Sequence, residues 1–517
     1  MNFRKWKVLT AVVLSCLIIA GFVVNYKDLV KNSVDEELIL QTIQEDAIAK
    51  QKELIEEKEK AEAKKLEEEK IQKEKVEAEA KAALRAKQEQ ILANTFYVEL
   101  GGAPLLEAPL NDAKVLGTLP SKKAVFAVDK ILNATGEIEF LKVKENIDAI
   151  EDLGYIAYDS VKEQLSDFIA KPIEDVDYSP FAKSVDFKNN PKIDVKGIYV
   201  TGNSASGSRL DELIQLIDET ELNAVVVDVK DDNGFLLFKS EAALKYNPQA
   251  YSHYYIEDMK AFVEKLKAHD IYTIARIVTF KSPIYAEMNP DRAIVYKDSQ
   301  KLYSDADGLT WASPHDRTLW AYNIAIAKEA AAYGFDEIQF DYVRFPAIAN
   351  QDAMDFKNPT GESQSAAIQN FLKTAYLELS PLEVYISADV FGWAASALSD
   401  VGIGQHWESV SNVVDYICPM MYPSHYGPGN YGLDVPDAYP YETIDRSVKD
   451  AISRNANLNT PGGIRPWIQD FTATWVNGHI RYRAPEVRAQ IDALKANGIN
   501  EYLVWNAGNF YSKGAFK

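Results

Sequence analysis

From residue 192 to the end of the chain, apolar runs that alternate with a period of two are separated by runs whose apolar positions recur every three to four residues. The period-two runs predict strands at 197–201, 224–230, 272–279, 337–345, 384–391, 416–422, 465–471 and 501–506. Helical runs lie between most of them, for example at 208–219, 256–268, 319–333 and 484–496. Eight strands each followed by a helix predict an α/β fold of the (β/α)8 TIM barrel type over 193–517. A doubly wound open sheet is the alternative, and it would want a glycine-rich phosphate turn after its first strand. T-G-N-S-A-S-G-S-R-L there lacks G-x-G-x-x-G and reads as a capping turn.

Upstream the pattern changes three times. Residues 95–161 carry short alternating segments at 96–98, 124–128 and 139–143, separated by turn residues such as Gly101-Gly102 and N-A-T-G at 133–136. They predict a small all-β domain, followed by a linker at 162–192 with Pro172, Pro180 and Pro191. Residues 35–92 contain no Gly or Pro and pair Glu56 with Lys60, Glu69 with Lys73 and Glu77 with Lys81 at i,i+4. Leu54, Leu66, Ile71 and Val76 hold no clean heptad, so a solvated helical stalk is expected. A coiled coil that brings copies together as a homo-oligomer is the alternative. At the N-terminus, Arg4, Lys5 and Lys7 precede an apolar run at 8–24 with no A-x-A cleavage pattern after it. Residues 1–30 therefore read as a membrane signal anchor, with the bulk of the chain outside the cytoplasm. V-L-S-C at 13–16 is a weak lipoprotein box, and the apolar run beyond Cys16 argues against that reading.

Charge removes one class of partner. Lys plus Arg is 56 and Asp plus Glu 77, a net −21, which argues against a nucleic acid. Cys16 lies in the apolar run and cannot reach Cys418, so no intrachain disulfide is expected. Aromatic residues make up 11% of the chain, enough for a sugar-binding surface and also normal for a large core.

Barrel active sites form where the strands end, and the polar groups there carry the candidate chemistry. In the fourth strand, Ile338, Phe340 and Tyr342 share one face; Gln339, Asp341 and Val343 share the other. The apolar face suits the helices, so Gln339 and Asp341 point into the barrel. Asp336 sits at the far end and reads as structural. The same parity turns Asp389 inward with Ser387, and Asp228 inward with Val226 and Lys230. An inward Asp341 is costly unless paired or functional. Two carboxylates at neighbouring strand ends, one kept protonated, are what glycosidic cleavage needs. The plain alternative is a salt network of Asp228, Asp341 and Asp389 with Arg276, Lys230 and Arg344. Candidate catalytic residues are Asp341 and Asp389. Candidate substrate-binding residues are Asp228, Arg276, Tyr342, Arg344, Trp393, Tyr422, His425, Asp470 and Trp505, with Tyr199 and Trp475 as further stacking aromatics. There is no H-E-x-x-H, paired-cysteine metal site or G-x-S-x-G, and Asp231, Asp232 and Asn233 lack the EF-hand order and read as a turn. No metal or cofactor is expected.

Two resemblances sharpen this. A-P-L-L-E-A-P-L-N-D-A-K-V-L-G-T-L-P, E-F-L-K-V-K-E and the closing L-G-Y-I-A-Y-D-S-V resemble a bacterial SH3-like domain, with Tyr155 where that family usually has Trp. The resemblance implies a module that binds cell-wall peptides, with a plain spacer as the alternative. G-I-Y-V-T-G, N-A-V-V-V-D-V-K-D-D-N-G, A-R-I-V-T-F, D-E-I-Q-F-D-Y-V-R-F-P, A-D-V-F-G-W and I-C-P-M-M-Y-P-S-H-Y resemble the glycoside hydrolase family long labelled a domain of unknown function. That resemblance implies a TIM-barrel hydrolase acting on a polysaccharide, with Asp341 as nucleophile. Amylase-like barrels carry a Glu at the end of strand five, where this chain has Asp389. Galactosidase-like barrels carry an acid after strand six, and none stands within 416–426. The chitinase pattern D-x-x-D-x-D-x-E would need acids at Gln339 and Val343, so that chemistry is excluded. The missing Glu keeps open a non-catalytic wall- or polysaccharide-binding scaffold.

Overall fold

The computed structural model describes residues 36–99, 101–163, 169–184, 186–252 and 255–517. The apolar run at 8–24 lies outside them. Among the described residues no helix is long and apolar enough to cross a membrane. The chain divides into two compact units, one ending at Ala78 and one spanning Glu79–Lys517.

The charged segment forms one helix, α1 (Glu36–Asn94). Leu66, Ile71 and Val76 stand exposed along it, and its i,i+4 ion pairs between 64 and 74, such as Lys64 with Glu68 at 3.8 Å, lie in solvent where they contribute little. The next residues form an antiparallel sheet: β1 (Thr95–Val98), β2 (Ala103–Leu106), β3 (Val115–Leu119), β4 (Ala124–Leu132), β5 (Ile138–Lys144), β6 (Asp152–Ala157) and β7 (Val161–Lys162), in the order β3-β2-β6-β5-β4-β1-β7. Alternate residues Phe96, Val98, Val125, Leu141, Val143 and Ile156 meet in its core. After it, residues 169–184 and 186–192 pack on the following domain. Lys183 Nζ donates to the carbonyls of Val414 and Thr460 at 2.6 Å each, and Asn190 Nδ2 donates to those of Asp336 and Glu383.

That domain is the expected (β/α)8 barrel. Its strands are β8 (Lys196–Val200), β9 (Ala224–Lys230), β10 (Tyr272–Val278), β11 (Glu337–Asp341), β12 (Tyr385–Phe391), β13 (Tyr416–Met420), β14 (Trp467–Gln469) and β15 (Tyr502–Trp505). Each pairs in parallel with its neighbour, β14 with β13 as well as β15, and β15 with β8 closes the ring. The outer layer includes α2 (Arg209–Asp218), α3 (Met259–Lys267), α4 (Arg317–Tyr333), α5 (Gln364–Leu379), α6 (Pro440–Asn455) and α7 (Ala484–Ala496). Parity works as expected on β11: Phe340 faces α5, its ring 5.0 Å from that of Phe371, while Gln339 reaches Cys418 inside. Asp336 is structural, accepting from Thr273 N–H at 2.8 Å.

Several expectations are corrected. β11 ends at Asp341, not at 345, because Tyr342 takes a left-handed φ of 47°. Tyr342 therefore leaves the helix-facing side and turns to the barrel mouth. The last strand is followed by a short 3-10 turn, Lys513–Ala515, and β12 and β13 are joined through a five-residue helix, Trp407–Ser411, so the helix layer is incomplete. Lys230 does not face inward. A register shift in the β9–β10 pairing turns it to the helices, where Nζ donates to Asn323 Oδ1 at 3.0 Å and lies over the Tyr322 ring. Burial pulls its pKa down to about 7.

The closed end of the barrel holds a buried ion pair that period-two reading did not single out. Arg465 Nη1 donates to both oxygens of Glu337 at 2.8 and 2.7 Å, its Nε donates to Glu501 at 2.8 Å, and its guanidinium lies 3.6 Å from the Tyr416 ring centroid. Both partners are fully buried. Removing one leaves an uncompensated charge in the interior. Arg465→Met is expected to lower stability by about 3–5 kcal/mol in chemical denaturation, and Arg465→Met with Glu337→Gln to recover much of that. An Arg465→Met protein as stable as wild type would show that the pair contributes nothing.

Candidate active site

The C-terminal mouth of the barrel encloses a cavity of about 400 Å³. Its floor is built around Arg276, almost wholly buried on β10. The neighbouring strands put an acid on each side: Arg276 is in register with Asp228 on β9, and Asp341 ends β11. Nη1 donates to Asp228 Oδ1 at 2.5 Å, and Nε and Nη2 donate to Asp341 Oδ2 at 2.9 and 2.6 Å. Tyr199 donates its hydroxyl to the other oxygen of Asp228. Burial pushes Asp228 up to about 6 against the pull of Arg276 and Tyr199. Asp228 does not line the cavity. It holds Arg276, which presents Asp341.

Asp341 is shaped by the turn that follows it. The N–H of Tyr342 donates to Asp341 Oδ1 at 2.5 Å. The left-handed backbone at a bulky residue is strained, and it swings the Tyr342 ring to the cavity beside Arg344.

Asp389, near the end of β12, is in a different environment. It is buried, Oδ1 accepts from Trp467 Nε1 at 2.8 Å, and Oδ2 has no hydrogen-bond partner. Burial first and the negative charge of Asp341 second drive its pKa well above the usual carboxylate range, which favours the protonated form. The loop after it needs Gly392: a Cβ there would meet Met420 O and Tyr426 Oη at 2.5 Å. Trp393, 40% exposed, then reaches the rim.

The cavity brings together most of the expected residues: Arg276, Asp341, Tyr342, Arg344, Asp389, Trp393, Tyr422, His425 and Trp505. Trp505 stacks on Tyr199 at 4.0 Å. His425 contacts Tyr422 and Phe471, and burial pulls the pKa of its imidazole down. Asp470 is not among the lining residues. Both its oxygens accept from Ser512, at 2.7 and 2.8 Å, so it anchors the C-terminal loop. Trp475 stands 67% exposed outside the cavity, stacked on Phe471. The salt network expected as the alternative forms only in part: Arg276 joins Asp228 and Asp341, whereas Lys230 and Arg344 pair with none of these acids.

Sequence reasoning missed Asp232 and Gln405. Asp232 tips the turn that Asp231 closes by accepting from Asn233 and Phe235, and it lines the cavity 3.4 Å from Arg276 Nη2. Gln405 lies on a loop and fixes the β12 end, accepting from Phe391 N–H and donating to Asp389 O. Among the described residues no cluster of acids, histidines and cysteines is disposed to hold a metal ion. Chemically, the mouth presents a carboxylate oriented by a guanidinium and a second, buried carboxyl with a raised pKa, facing one cavity.

Residues 197–511 match a family described as "Putative glycosyl hydrolase domain". No curated protein is matched. Among solved structures, a hypothetical protein from Ruminiclostridium thermocellum is 35% identical, covering 37% of this chain and 97% of its own, with a TM-score of 0.33. The PgaB (BpsB) glycoside hydrolase domain from Bordetella bronchiseptica is 12% identical, covering 60% of this chain and 94% of its own, with a TM-score of 0.44. The spore cortex-lytic enzyme SleL from Bacillus cereus is 13% identical, covering 62% and 74%, with a TM-score of 0.37.

Proposed function

The chain belongs to this glycosyl hydrolase family, and from that premise we propose that it hydrolyses O-glycosidic bonds in a cell-wall or extracellular polysaccharide. The observation that carries the proposal is the pairing, at one cavity, of Asp341 bound by Arg276 with a buried Asp389 whose Oδ2 has no hydrogen-bond partner and whose pKa burial raises. Asp389 gives its proton to the glycosidic oxygen as the bond to the anomeric carbon breaks. Asp341 adds to that carbon to form a glycosyl ester, and the departing sugar leaves as an alcohol. Water, deprotonated by the Asp389 carboxylate, then displaces Asp341 and restores both groups. Two displacements at one carbon retain its configuration. Arg276 holds Asp341 in line, and Trp393, Tyr422 and Trp505 offer ring faces to the sugar.

The apolar run at 8–24 behind Arg4, Lys5 and Lys7 supports a single-pass anchor with the catalytic domain outside the cytoplasm. In this reading α1 is a stalk, and the β1–β7 domain is an SH3-like module for wall peptides. The rival is a glycan-binding scaffold without turnover, favoured by one observation: both Asp341 oxygens already accept hydrogen bonds.

The test is the full chain in detergent with a panel of wall and storage polysaccharides, assayed for new reducing ends and, by NMR, for the anomer first released. Release with retained configuration is expected. Glycan binding without release from any polymer would establish the scaffold.

A further inference from the structure

Arg344 stands apart from the other cations of the mouth. It lines the cavity, yet only 9% of it is exposed. Among the described residues it has no ion-pair partner, and its one hydrogen bond runs from Nη1 to the Phe345 carbonyl at 2.9 Å. The acids whose charge it feels are Asp341 and Asp305, and both are committed. Asp341 accepts from Arg276; Asp305 pairs with Lys281 at 3.2 Å and accepts from Trp311 Nε1 at 3.0 Å.

An unpaired buried guanidinium is costly, and this one is also held in place. Its carbon lies 4.8 Å from the Trp311 ring centroid, 5.0 Å from that of Tyr342 and 4.6 Å from that of Phe391. Three rings clamp a planar fork whose remaining N–H groups have no acceptor among the described residues. Such a fork matches the two oxygens of a carboxylate. The uncharged donors and acceptors of a neutral sugar would leave the charge uncompensated.

We propose that Arg344 is the receptor for a carboxylate carried by the substrate, so that the glycan taken at this site is an acidic one. The inference rests on the hydrolase reading and names its substrate class. Two sources share this chemistry: a uronic acid ring and the lactyl ether of muramate.

The first arm is binding. The full chain in detergent is titrated with glucuronate, muramate and glucose at equal ionic strength. One or both acids are expected to bind at least about 30-fold more tightly than glucose, and the tighter of them identifies the source. Arg344→Gln should abolish that preference, and Arg344→Lys, which keeps the charge and loses the fork, should retain part of it. The second arm is turnover of a uronate-rich or muramate-containing polymer against its carboxyl-reduced form, which is expected to be cleaved at least about 30-fold more slowly. This comparison uses the wild-type chain and decides even where Arg344→Gln does not fold. Equal binding of acids and glucose, or equal cleavage of native and reduced polymers, overturns the proposal and leaves the hydrolase reading standing. Preferential acid binding with no cleavage of any polymer supports the receptor and removes the hydrolase reading.

Discussion

Asp341→Asn is expected to lower kcat on the active polysaccharide by at least about 10³-fold, roughly 4 kcal/mol of transition-state stabilisation, with little change in KM. The amide matches the carboxylate in shape. Its oxygen can accept from Arg276 or from Tyr342 N–H as Asp341 does, and Arg276 keeps its bond to Asp228. The amide nitrogen then faces the other donor, so some loss of melting temperature is expected, while the protein stays folded and the nucleophile is gone. Binding measured with the variant separates the two readings of the barrel. Unchanged binding with lost turnover places Asp341 in the chemistry. Unchanged turnover would remove it as nucleophile and direct attention to Asp232, whose carboxylate lines the same cavity and is partly exposed.

The fold was largely legible because a barrel strand is read by parity. On β11, two alternations sufficed to send Ile338 and Phe340 to the helices and Gln339 and Asp341 inward, and no tertiary contact overrode them. The failures occur where backbone conformation departs from that period. Tyr342 breaks it with a positive φ, and the β9–β10 register shift breaks it at Lys230; neither residue type announces such a change. Asp232 was hidden for another reason. A turn acid is ordinarily solvated, and its position over Arg276 follows from where the β9 loop folds back. Arg465 and Glu337 lie 128 residues apart, so their pairing depends on barrel closure and leaves no local pattern. Gln405 has a functional position only because its loop returns beneath β12. The candidate site was thus readable where its residues end a strand or directly follow one, as Asp341, Trp393 and His425 do, and unreadable where a loop folds back from farther along the chain, as at Gln405.

Asp389 ties activity and stability to pH in the same sense: both fall as pH rises. Its folded pKa lies well above the ordinary carboxylate value because of burial first and the charge of Asp341 second. Below the unfolded value, about 4, the group is protonated in both states and costs nothing. As pH rises from there toward the folded value, the unfolded chain ionises while the folded one keeps its proton, and stability falls. The proton that costs stability is the one the reaction uses, so kcat/KM should decline on the alkaline side as Asp389 ionises. Asp389→Asn removes both effects. Turnover of the natural polymer should drop by about 10²–10⁴-fold, while glycosylation by an aryl glycoside of the same sugar with an acidic phenol, which needs no proton, should be largely spared. Relative to wild type, the variant should gain melting temperature as pH rises through neutrality, and the difference should shrink toward pH ~4. Melting curves of the two proteins across that range, with rates on both substrates, check the argument. A stability difference that does not vary with pH would mean that Asp389 is ionised in the folded protein. Equal losses of kcat/KM, which reports the glycosylation step, on polymer and aryl glycoside would mean that it is not the acid.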